Sequence, residues 1–174
     1  VLLQRLVPDW YVDSVFQIDL DALWNAGIRG IITDLDNTLV EADRPQATPR
    51  LVAWLKHVQD RGFRVVIVSN NTRTRVAAFA DPLGIPYIHR ARKPMRSAFL
   101  KALRMLQLDI PQVVVIGDQL FTDVLGGKRM GLATILVLPL SGKESFGTRI
   151  NRKLERIVFR WMRRNGWLKW EETR

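Results

Sequence analysis

Two patterns alternate repeatedly along this chain and limit how it can fold. Short, unbroken apolar runs are followed by segments with a helical apolar period. The runs fall at residues 28–34 (IRGIITD), 63–68 (FRVVIV), 113–117 (VVVIG) and 133–138 (ATILVL), with a shorter one at 86–89. An apolar run without polar alternation is a strand buried on both faces, which parallel sheets achieve when helices cover them. The intervening segments supply the helices. Thr48 and Pro49 form an N-cap and a first-turn proline, Leu51, Val52, Leu55 and Val58 share one face, and Gly62 ends the helix. Shorter helices are expected over 72–80, 96–106 and 122–130, the last stopped by Gly131. Residues 1–27 are mixed, with Asp19 or Asp21 capping a short helix that ends near Gly27. The pattern predicts an α/β fold, a Rossmann-like, doubly wound, mainly parallel sheet over residues 1–140. Residues 141–174 differ, and are expected to form an appendage: a loop at 141–147 and a basic helix at 149–170.

Composition narrows the chemistry. The 174 residues, 47% hydrophobic, suffice for one compact core. There is no cysteine and there are only two histidines, His57 and His89, which excludes disulfides and thiolate sites and leaves zinc poorly supplied. A hard cation on carboxylate oxygens is compatible. The formal net charge of +10 favours phosphate-rich partners. No stretch is long and apolar enough to span a bilayer. The opening VLLQRLVPDW is broken at Gln4 and Arg5 and does not read as a signal peptide. The expectation is a soluble or membrane-peripheral protein of a reducing compartment, the cytoplasm or an organellar matrix.

In open parallel sheets, ligands bind beyond the carboxyl ends of the strands. Here those ends carry Asp34-Leu35-Asp36, then Ser69-Asn70-Asn71, then Lys93, then Gly117-Asp118 with Asp123 five residues on. A single Asp after a strand is usually a turn or cap. Four reactive sets in succession, each just past an apolar run, are not explained that way. Two carboxylates such as Asp34 and Asp118 repel unless a cation lies between them, and Mg2+ suits a few carboxylates together with a substrate phosphate. A carboxylate nucleophile, a second acid two residues on and a lysine for the phosphoryl oxygens together suit phosphoryl transfer.

These residues resemble the four motifs of the haloacid dehalogenase superfamily. Asp34-Leu35-Asp36-Asn37-Thr38 is similar to its first motif, Ser69 to the second, Lys93 to the third, and Gly117-Asp118 through Asp123 to the fourth. The resemblance implies Asp34 as nucleophile and metal ligand. It implies Asp36 as general acid/base, with its carbonyl on the metal. Thr38 would support the loop and, with Ser69, Asn70 and Lys93, hold the phosphoryl group; Asp118 would hold Mg2+, and Asp123 would bind it directly, through water, or orient Lys93. The chain is more specifically similar to the YqeG-like branch of the superfamily, from LVPDWYVDSVFQIDLDALWNAGIRGIITDLDNTLV through SNNTRTRVAAFADPLGIPYIHRARKP to VIGDQLFTDVLGGKRMGLATILVLPL. That branch is related to phosphatidylglycerophosphate phosphatases, which implies an anionic phospholipid substrate.

Neither Asp36–Ser69 nor Ser69–Lys93 leaves room for an inserted cap domain, so the site is expected to be open to a bulky substrate. In the tail, Ile150, Leu154, Ile157, Val158 and Trp161 share one helical face. Arg149, Arg152, Lys153, Arg156, Arg160, Arg163 and Arg164 share the other, Phe159 falls outside the apolar stripe, and Trp167 and Trp170 follow. Such a helix either lies in a membrane interface or packs its stripe on the domain, and the two are compatible. Arg73 and Arg75 read as exposed helix charges, His57 as solvated, and Trp10, Trp24 and Trp54 as packing residues. Two other functions remain. One is a nucleic-acid-end phosphatase, for which no aromatic RNA-binding motif or helix-turn-helix speaks. The other is a non-catalytic, phosphate-binding assembly factor. The oligomeric state is not legible.

Overall fold

The computed structural model of the protein describes residues 3–140 and 146–168. Six strands form one sheet: β1 (Trp10–Val12), β2 (Gly30–Thr33), β3 (Arg64–Val68), β4 (Tyr87–Ile88), β5 (Val113–Gly117) and β6 (Ala133–Val137). Their order is β1-β6-β5-β2-β3-β4. Every pairing is parallel, so the sheet is wholly rather than mainly parallel.

Neighbouring residues on each strand point to opposite faces, and the core divides accordingly. On one face Ile31, Ile67 and Ile116 meet Leu23 of α1 (Leu20–Asn25), Leu51 and Leu55 of α2 (Pro49–Asp60) and Phe79 of α3 (Arg73–Ala80). On the other, Ile32, Val66 and Val115 meet Phe99 and Leu103 of α4 (Arg96–Leu106) and Met130 of α5 (Leu125–Met130). The helices start where side chains satisfy their first amides. Thr48 caps α2 by accepting from the Leu51 amide, Thr72 caps α3 by accepting from Arg75, and Asp19 caps α1 by accepting from Ala22.

Three features depart from the expected elements. Strand β1 lay in the region read as mixed. Three residues are too few to show a period, and Trp10, expected to pack, is 41% exposed at this sheet edge. Trp24 and Trp54 do pack, edge-on against Phe63 and Phe16. Second, the helix expected over 122–130 is split into a π-type turn at Leu120–Val124 followed by α5. Such widened turns accommodate a side chain that must face a site.

The third departure is the tail. Helix α6 (Phe146–Arg164) ends where Gly166 takes a left-handed φ of +63°, and Trp167 folds back edge-on against Trp161. Four of the five residues of the predicted apolar stripe do not face the domain: Ile150, Leu154, Ile157 and Trp161 are between 36% and 58% exposed, and only Val158 packs inward. Instead Met162, Val158 and Phe159 join Leu6, Leu120, Val124 and Leu136 in a third apolar cluster. The docked face is set by Glu155 and Met162, both buried, so Phe159 lies inward. Trp170 and the side chain of Arg149 lie outside the described residues.

From β2 the chain winds outward through β3 and β4, then returns to the other side for β5 and β6. The reversal lies between β2 and β5, the position at which open α/β sheets form a crevice. Their register sets Thr33 beside Ile116, so the residues that follow each strand emerge together.

Candidate active site

Asp34 leaves the end of β2, with its amide donating to the Ile116 carbonyl at 2.9 Å. Asp118 leaves the end of the adjacent β5. Asp123 is turned back by the π-type turn, where its carboxylate accepts from the Gln119 amide at 3.2 Å. All three are buried, and one carboxylate oxygen from each lies within 4.8 Å of the others. Gly117 makes this approach feasible, because a β-carbon there would fall inside the envelope of the Asp123 side chain. Lys93, which follows β4, reaches into the group. Its Nζ donates to Asp34 Oδ1 at 2.9 Å and to Asp123 Oδ1 at 2.7 Å.

Burial and mutual repulsion shape the ionisation. Burial disfavours the charge on Lys93, but Asp123 and Asp34 outweigh it and raise the ammonium above its ordinary value. Burial, then the neighbouring Asp34 and Asp123, push the Asp118 carboxyl well above the usual carboxylate range, with Arg152 pulling the other way. Asp123 is also pushed up by burial, to about 6, against the opposing pull of Lys93. A cluster of acids strained against its own charge is the usual condition of a site built to receive a cation.

The remaining expected residues surround this cluster. The Thr38 hydroxyl donates to Asp118 Oδ1 at 3.1 Å, so it steadies that carboxylate. Ser69 is buried at the end of β3, and its hydroxyl accepts from the Asn71 amide at 3.1 Å. Asn70 grips the Lys93 peptide from both sides: its Oδ1 accepts from the Lys93 amide at 2.7 Å and its amide donates to the Lys93 carbonyl at 3.3 Å. Asp36 stands apart from the buried three. Its carboxylate accepts from Asn71 Nδ2 at 2.8 Å and from Arg75 Nε at 3.0 Å. Arg75 is therefore not an exposed helix charge; its side chain is 15% exposed and paired with Asp36.

Arg152 and Glu155 of α6 also went unassigned from the sequence. Arg152 donates to the Asp118 carboxylate and to its carbonyl, and to Glu155 Oε2 at 3.0 Å. Glu155 Oε1 accepts from the Leu120 amide at 2.7 Å, which anchors α6 beside the end of β5. A signal was present: Glu155 is the one acidic residue in the otherwise basic run 146–164. An acid in such a run has reason to face inward toward unpaired backbone donors.

The donor set fits a small divalent cation. Three buried carboxylates supply hard oxygen ligands, and a dication would relieve the repulsion that raises Asp118 and Asp123. No histidine or thiol competes within the cluster.

A family model described as haloacid dehalogenase-like hydrolase matches residues 16–131. The chain is 50% identical over 172 residues to a probable phosphatase, YqeG, of Bacillus subtilis, covering 99% of this chain and 100% of that protein. It is 30% identical over 166 residues to a chloroplastic phosphatidylglycerophosphate phosphatase 1 of Chlamydomonas reinhardtii, covering 89% of this chain and 62% of that protein. Among solved structures, an uncharacterised Listeria monocytogenes protein superposes with a TM-score of 0.53 at 20% identity, over 68% of this chain and 85% of that one, which is a likeness of fold. With the buried carboxylates at the strand ends and these matches over most of its length, the chain belongs to the haloacid dehalogenase-like hydrolase family, among its phosphatases.

Proposed function

We propose that the protein is a Mg2+-dependent phosphomonoester hydrolase that works through a phosphoryl group carried on Asp34, with an anionic phospholipid such as phosphatidylglycerophosphate as substrate. The observation that carries the reading is the buried cluster of Asp34, Asp118 and Asp123 around Lys93 at the reversal of the sheet. Asp34 attacks phosphorus and the leaving oxygen departs in line. Asp36, oriented by Asn71 and Arg75, gives that oxygen a proton, then takes one from the water that hydrolyses the acyl phosphate. Lys93 offsets charge on the phosphoryl oxygens, and Asn70 fixes the peptide from which it projects. The Ser69 hydroxyl completes the cradle, and Thr38 keeps Asp118 aimed at the metal. Asp34, Asp118, Asp123 and the Asp36 carbonyl would hold Mg2+, which would supply positive charge to the phosphoryl oxygens.

Three observations support the lipid. The intervals between the strand ends hold no cap domain. Phosphatidylglycerophosphate phosphatases are among the chain's relatives. The exposed stripe Ile150, Leu154, Ile157 and Trp161, flanked by Lys153, Arg156, Arg160 and Arg164, has the amphipathic character of an interfacial helix. No helix among the described residues is long and apolar enough to cross a membrane. Each basic residue near an anionic leaflet contributes about 1 kcal/mol.

The test is phosphate release with Mg2+ from phosphatidylglycerophosphate in mixed micelles, beside a 5′-phosphorylated oligonucleotide and soluble sugar phosphates. Preference for the lipid supports the reading. Preference for the oligonucleotide would move the protein to nucleic-acid ends, and no turnover of any phosphomonoester would make it a binding protein.

A further inference from the structure

Beside the carboxylate cluster, a groove of about 360 Å³ lies between the end of β6 and α6. Asp118 forms its inner end. Its floor is apolar, from Leu136 to Pro139, Tyr11 and Phe159 line it too, and its cationic wall is Arg152 and Arg156. The two arginines are one helical turn apart on α6, and so share a face. The inner one touches Asp118, while the outer one is exposed. Glu155, also on the wall, is engaged with the Leu120 amide and with Arg152, so it fixes the wall in place. The groove thus runs from the reacting centre to solvent and carries positive charge along one side and apolar surface along the other. Leu138 at its floor is 49% exposed, and the outward stripe of α6 begins on the same helix.

We infer that this groove is the leaving-group subsite, and that Arg152 and Arg156 select a leaving group that bears its own anionic phosphodiester next to an apolar portion. The inference rests on the proposed phosphatase reading, because it takes the phosphoryl group to lie at Asp34 and Asp118. The leaving oxygen faces Asp36, and the groove, which Asp118 bounds, receives the portion of the leaving group beyond it. Once a dication neutralises Asp118, the charge of Arg152 acts on whatever anion lies in the groove. A guanidinium presents a planar fork of donors matched to phosphate oxygens, which suits both arginines to a phosphodiester. The apolar floor from Leu136 to Pro139 suits the hydrocarbon portion of an amphiphile.

The experiment uses the full chain with Mg2+ and two lipids in the same mixed micelles. Phosphatidylglycerophosphate has an anionic leaving group, and phosphatidic acid has a neutral one. The readout is the ratio of kcat/KM for the two. Arg152→Gln and Arg156→Gln are each expected to lower that ratio about tenfold, mainly through KM for the anionic leaving group. Arg156 touches no carboxylate of the cluster, so its variant separates recognition from disturbance of Asp118. Equal losses on both lipids, or an unchanged ratio in Arg156→Gln, would overturn the inference while leaving the phosphatase intact. Wild-type turnover confined to the oligonucleotide would overturn the lipid as occupant. Absence of any turnover would sink the phosphatase reading, and the inference with it.

Discussion

Replacing Lys93 by Met removes the ammonium that two buried carboxylates share. Its Nζ lies 2.9 Å from Asp34 and 2.7 Å from Asp123, with the lysine side chain 4% exposed. Removing one partner of a buried pair costs about 3–5 kcal/mol, because the other charge is left uncompensated. A chain of this length loses about 3 °C of melting temperature per kcal/mol, so metal-free Lys93→Met is expected to melt about 9–15 °C lower. The pH dependence distinguishes this cause from lost packing. Asp123 titrates at about 6 in the folded state, above the ordinary carboxylate value of 3.8. The folded state therefore binds that proton more tightly, and this contribution to stability is lost as pH rises through about 6. Lys93 holds the value down, so in the variant it lies higher still. The deficit is expected to be full at pH 7.5 and to shrink at pH 5, where protonated Asp123 no longer needs a partner. Thermal unfolding by circular dichroism in a chelator at both pH values measures it. A loss under about 1 kcal/mol, or one of equal size at both pH values, would refute the charge argument.

Other outcomes follow from the same geometry. Mg2+ is expected to raise the wild-type melting temperature more at pH 7.5 than at pH 5, since protons on Asp118 and Asp123, both shifted upward by burial, compete with it; calorimetry at the two pH values reads this. Gly117→Ala forces a β-carbon into Asp123, at a cost of about 1–3 kcal/mol and most of the Mg2+ response. Arg75→Gln, which unpins Asp36, is expected to lower kcat by about 10- to 100-fold with little change in KM and to flatten the pH profile of kcat; a change confined to KM would place Arg75 on the substrate instead.

The legibility of this protein in its sequence varied with the kind of signal. Strands β2, β3, β5 and β6 announced themselves as apolar runs, and parallel packing then forced Asp34, Ser69, Lys93 and Asp118 to one rim. Strand β1 was not legible, because three residues at a sheet edge need no apolar period. The pairing of Arg75 with Asp36 was hidden by a sequence separation of 39, and a helical arginine is ordinarily solvated. The tail shows the limit of a helical wheel. The wheel found the apolar stripe but could not choose between a stripe packed on the domain and one turned to a membrane interface. The docked face is instead chosen by Met162, Phe159 and the buried Glu155 bonded to Leu120, and the stripe is left outward. Arg152 came to Asp118 by the same choice, which composition alone does not reveal.

In the proposed reaction Asp34 carries the phosphoryl group during turnover. Rapid acid quench of the Mg2+-loaded protein with excess phosphatidylglycerophosphate, followed by peptide mass spectrometry, tests it most directly. A phosphorylated peptide containing Asp34 is expected to appear with substrate, vanish on chase, and be absent in Asp34→Asn along with phosphate release. Phosphate release that persists in Asp34→Asn, or an adduct on any other residue, would contradict it.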